Sequence, residues 1–218
     1  FYRAHGWYED AYRQYQTLAP IRPDDPSVLL LLAQAAAGAG RIDEALRLEQ
    51  RLMETAQPGA AQGLARIAQL WTSVRLAKLR LAAREAGDAE RLAALERRLR
   101  ASGVLAAAGD LRVTLVFSHP DAQIGLWTAP AGGALARPRE IAPELGIEAL
   151  DEPEAEAGGY AIEVRRADAS SPTAIRAELV IVWREGREDE VARVVPLDFS
   201  GGRAAYAWTL RGADLTPR

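Results

Sequence analysis

Cysteine is absent from the 218 residues, which excludes disulfides and thiolate metal sites. Histidine occurs twice, at His5 and His119, in separate segments with no serine-centred turn or patterned carboxylate beside either. That scarcity argues against nucleophilic catalysis and against a transition-metal site, and both histidines read as turn or surface residues. No run of 18 apolar residues occurs, so no transmembrane helix is expected. A dominant charge is also missing. The 27 basic and 30 acidic residues leave a net charge of −3, which gives no overall attraction for nucleic acid. The basic stretch Arg97, Arg98 and Arg100 has acidic neighbours and reads as a solvated helix face.

Phosphate chemistry finds no support either. Gly38 and Gly40 lie at a helix–helix turn, not in a glycine-rich loop after a strand. Glu152, Glu154 and Glu156 alternate like the paired acids of a glycosidase, but they fall in a loop with no aromatic sugar platform. No catalytic residue, metal ligand or cofactor is assigned.

What is present changes character near residue 108. The first half is rich in Ala, Leu, Arg, Glu and Gln, the strong helix formers. The second half favours Val, Ile, Thr, Trp and Gly in short alternating runs. Helices followed by strands predict an α+β chain of two domains, 1–108 and 109–218.

The helical half repeats itself. Gly6 and Gly40 are 34 residues apart, as are Ala11 and Ala45, and Pro23 and Pro58 follow at similar distances. The glycine permits a tight turn, the alanine lets paired helices approach, and the proline ends one unit and opens the next. A 34-residue period on these residues resembles the tetratricopeptide repeat. In the complete repeat Leu29, Leu32, Ala33, Ala36, Ala45 and Leu52 take packing positions. Leu29, Ala33 and Ala36 replace the usual Trp, Gly and Tyr of the first helix. Residues 7–19 read as a second helix without its partner, which suggests further repeats upstream. Residues 60–86 read as one long helix with a stripe that includes Leu64, Ile67, Ala68, Trp71, Val74, Arg75 and Ala82. Asp88 is the expected N-cap of a last helix with Leu92, Leu95 and Leu99 on its apolar face.

In the second half, strict alternation predicts strands over 111–117, 160–165, 175–183, 191–197 and 204–210, with glycine and proline turns between them. Residues 135–155 read as a long surface loop. An immunoglobulin-like or jelly-roll-like β-sandwich is expected. The order of Leu111–Leu115, Ile124–Trp127, Gly159–Val164, Pro172–Thr173 and Gly186–Glu190 resembles the DUF2135 (YfaP-like) family of bacterial domains. That family often accompanies von Willebrand A or tetratricopeptide segments, and the resemblance implies no established activity. Its members carry acidic residues before the Leu–Trp pair. Here only Asp121 remains, with Gln123 and Gly125 at the other positions, which is a poor calcium site.

These readings lead to a non-catalytic scaffold. A protein or peptide partner, or another domain of the same parent protein, is expected in the helical groove at Ser27, Leu30, Gln34 and Ala37. Those positions are mostly apolar or small, which suits an apolar partner segment. Two alternatives stand beside it. One is a carbohydrate- or cell-surface-binding module using Trp127, Trp183 or Trp208. The other is the accessory region of a hydrolase whose catalytic domain lies outside this chain. The compartment stays open, with the cell envelope or secretion favoured over the cytoplasm.

Overall fold

The computed structural model describes residues 6–55, 60–117, 123–138, 140–155, 158–167, 175–199 and 205–218. His5, Pro58, His119, Asp121, Glu156, Pro172, Thr173 and the glycine turn at 201–202 lie outside them. The chain divides into two compact units, Phe1–Val104 and Leu105–Arg218. Among the described residues, five α-helices make up the first and two antiparallel sheets the second, a two-part α+β layout.

The helices are α1 (Tyr8–Leu18), α2 (Pro26–Gly38), α3 (Ile42–Thr55), α4 (Ala60–Glu85) and α5 (Ala89–Ala101). Asp25 caps α2 by accepting from the Ser27 and Val28 amides, and Pro26 supplies a first-turn residue that has no amide to satisfy. Two turns use one device. After α2, Gly40 takes φ 80° and the Arg41 amide donates to the Ala36 carbonyl at 2.8 Å. After α4, Gly87 takes φ 67° and the Asp88 amide donates to Ala83 at 2.9 Å. Both are left-handed glycine closures that satisfy carbonyls the helix end leaves open. Asp88 then accepts from the Arg91 amide and starts α5.

Consecutive helices pack on one another, and α2 also touches α4. Small residues make this close. Ala11 of α1, Ala35 and Ala36 of α2, and Ala45 of α3 share one buried cluster with Tyr12 and Leu32. Ala82, expected on the apolar stripe of α4, is exposed instead.

The second unit holds β1 (Leu111–Phe117), β2 (Ile124–Pro130), β3 (Glu140–Ala142), β4 (Ile147–Glu152), β5 (Tyr160–Arg166), β6 (Arg176–Trp183), β7 (Val191–Asp198), β8 (Ala205–Arg211) and β9 (Asp214–Pro217). One sheet runs β3-β4-β1-β6-β7 and the other β2-β5-β8-β9. Alternate residues of both sheets meet in one cluster. Leu111, Val113 and Leu115 of β1 and Leu179 of β6 join Leu126, Ile162, Val164 and Leu210 from the other sheet.

Residues 135–155 are not the long surface loop that their prolines and acids suggest. They contain β3, a 3₁₀ turn at Pro143–Leu145, and β4, which pairs along β1 from Val116↔Ile147 to Leu111↔Glu152. The alternation was hidden because Glu148 stands opposite Leu115 and so takes a core-facing position. Strand β9 also carries too few apolar residues to announce itself.

The sheet edges are blunted against pairing with other chains. Ala136 bonds both ways with Thr128 along β2, Pro196 interrupts β7, and β3 has three residues. Gly159 (φ 84°) has the Leu210 carbonyl oxygen 2.1 Å from where a Cβ would stand, whereas Gly212 (φ 55°) has nothing within 4 Å. Gly212→Ala should therefore cost about 1–2 kcal/mol, the left-handed penalty alone. Gly159→Ala should cost clearly more, because backbone must also move. Urea unfolding of the two variants checks the order.

Candidate functional site

The four groove positions fall on α2 at helical spacing, but their exposure differs sharply. Ser27 is exposed and Ala37 half-buried, while Leu30 is 1% and Gln34 6% exposed. The long amide side chain of Gln34 is thus held inside, next to a polar cluster that spans three helices.

Glu49 is at the centre of that cluster. It continues the buried face of α3 formed by Ala45, Leu46 and Leu52, and it has no exposure to water. From α4, the Arg75 guanidinium contacts one carboxylate oxygen and the Thr72 hydroxyl donates to the other at 3.0 Å. Arg75 Nη2 also stands 3.5 Å from Gln34 Oε1, and the guanidinium lies 4.8 Å from the centre of the Trp71 ring. Burial pushes the Glu49 carboxyl up to about 7 against the opposing pull of Arg75 and Thr72, and burial also lowers Arg75. Arg75 was legible as a basic residue on an apolar stripe. For Glu49 the one local signal is its spacing from Ala45 and Leu52, which matches a buried face.

The β unit holds a second buried carboxylate. Glu148 of β4 accepts from the Leu126 amide of β2 at 2.7 Å, so one carboxylate joins the two sheets. The Arg137 guanidinium contacts its other oxygen. Burial raises the Glu148 carboxyl above the ordinary range, while Leu126 and Arg137 pull it down. Arg137 also lies 4.9 Å and Arg165 5.1 Å from the centre of the Trp127 ring. Gly125 leaves room for this arrangement, since a Cβ there would meet Arg137 and the Trp127 ring at 2.9 Å. Arg165 is paired in turn with Glu163.

A third cluster is ionic as well. Arg112, 2% exposed, donates to Asp151 at 2.8 Å and to Glu185 at 2.6 Å.

The three tryptophans of the β unit do not share a face. Trp127 stands opposite Glu163, away from the core, whereas Trp208 is in the core cluster and Trp183 packs against it. A row of coplanar tryptophans for stacking sugars is therefore not formed. Of the alternating carboxylates, Glu152 ends β4 and Glu154 follows in an exposed turn. Among the described residues no group of three or more His, Asp and Glu side chains could hold a metal ion, and no helix is long and apolar enough to cross a membrane. Compared with family models, curated proteins and solved structures, the chain matches none of them.

The Glu49–Arg75 pair yields a pH prediction. A carboxyl raised from 4.5 to about 7 in the folded state contributes stability that is full below pH 4.5 and lost as pH rises through 7. Arg75→Met should cost about 3–5 kcal/mol at pH 8, where it strands a buried carboxylate, and distinctly less at pH 5.5. Urea unfolding followed by far-UV circular dichroism at both pH values checks this. A cost independent of pH would show that Glu49 does not take up the proton.

Proposed function

We propose that the chain is a non-catalytic interaction module of a larger bacterial protein. Its helices form a tetratricopeptide-like array that holds a partner segment, and its two sheets form a β-sandwich of the DUF2135 kind. The observation that carries the reading is the side-by-side placement of α1 and α3. Arg41 Nη2 contacts Glu9 at 2.9 Å and the Tyr12 hydroxyl donates to Glu44 at 2.7 Å. The equivalent alanines, Ala11 and Ala45, are both buried, and each follows a left-handed glycine by five residues, Gly6 at φ 72° and Gly40 at φ 80°. Like helices stacked beside like helices at one sequence period are what a helical array requires.

Contact of α2 with α4 fits the same plan, because the first helices of successive pairs line the inner surface of such an array. The shared core of the two sheets supports the sandwich reading. The buried ionic clusters join structural elements, and where a hydroxyl meets a carboxylate, at Thr72 and Glu49, both are buried in the packing of α3 against α4, which favours a structural role over catalysis.

The test is site-directed photo-crosslinking in the host cell. A benzophenone side chain at Ser27 or Ala37 should give adducts with one discrete protein. The same group at Ala94, exposed on α5, should not. No adduct from Ser27 or Ala37, or identical adducts from Ala94, would remove the groove from consideration.

A further inference from the structure

Two donors beside the Glu49–Arg75 pair have no acceptor among the described residues. Gln34 Nε2 and Trp71 Nε1 are buried, and neither makes a hydrogen bond among the described residues. An unpaired buried donor is costly, and folded proteins keep very few. Here two occur in one cluster. Gln34 Oε1 stands 3.5 Å from Arg75, and the Trp71 ring centre stands 4.8 Å from the same guanidinium. Gln34 comes from α2 and Trp71 from α4, so the pair spans the two helices that would line the groove.

We propose that Gln34 and Trp71 are the donor half of a site for an uncharged oxygen acceptor, the main-chain amide carbonyl of a partner segment lying across α2 and α4. The proposal rests on the groove reading above and names the chemistry of its ligand. Charge balance selects the neutral acceptor. Arg75 already has Glu49 against it, so an added anion would stand beside a carboxylate in a place with little water to screen it. The free donors are an amide and an indole, which suit a carbonyl. Trp71 is the partly exposed member of the cluster, and entry of the carbonyl requires that side chain to rotate. An internal water has the same acceptor chemistry, and the experiment separates the two sources.

The test titrates the ¹⁵N-labelled full chain with N-acetyl-leucine N-methylamide, a neutral blocked residue, and separately with sodium acetate. The amide should move the Trp71 indole and Gln34 side-chain resonances along a saturable curve, and acetate should not. Gln34→Leu should weaken the amide response about fivefold, the effect of one hydrogen bond, while the circular dichroism spectrum is unchanged. An absent or non-saturable response overturns the proposal, as does acetate binding equal to the amide. So does a Trp71 indole contact to water that persists at saturating amide, which marks a structural water only. Ser27 adducts that survive Gln34→Leu alongside a silent titration sink this proposal and leave the groove reading intact. Absence of adducts in the unmodified chain sinks the groove reading itself.

Discussion

A carboxylate withdrawn from water has to find donors wherever it is buried, and this requirement organises both units. Glu49 and Glu148 have no exposure at all. Each is held where separate elements meet: Glu49 of α3 by Arg75 and Thr72 of α4, and Glu148 of β4 by the Leu126 amide of β2 and by Arg137. Neither pair is a simple source of stability, because desolvation offsets most of the attraction. What such a group does is fix geometry. A helix shifted along its axis, or a strand slipped by one residue, would leave the charge without its partner.

The two halves meet the same constraint with different backbones. Between helices the donors are side chains, because the helix has already consumed its amides. At the edge of a sheet the strand amide itself is available, and Glu148 accepts it directly. That contact satisfies an edge group of β2 from inside, while Ala136 satisfies others along the strand. The Tyr206 hydroxyl works similarly, bonding both the amide and the carbonyl of Asp198 and so tying β8 to β7. Polar links between the sheets therefore accompany the apolar core and set how its two layers align.

Much of the layout was readable from local patterns. The 34-residue spacing of Gly6 and Gly40, the alanines that follow them, the N-cap at Asp88 and the unbroken helix from Ala60 depend on neighbours within a few turns. So does the alternation in β1, β5 and β6, where apolar residues hold one face without interruption. Strand β4 is hidden for a specific reason: beside Leu150 its core-facing positions include a glutamate, Glu148, and no local rule predicts that an acid will be buried. The groove positions carry the same lesson. Helical spacing puts Ser27, Leu30, Gln34 and Ala37 on one side of α2, but exposure along that side depends on what packs there.

By itself the sequence determined where helices give way to strands, which turns need glycine, and that no disulfide or thiolate site can form without cysteine. Those features follow from backbone preference and side-chain type, and both act at short range. Only the tertiary structure decided that Glu49 and Arg75 would face each other across 26 residues of chain, and that Glu148 would reach the amide of Leu126. Burial of a charge is settled by partners that folding brings from elsewhere in the chain, and spacing along the chain does not encode them.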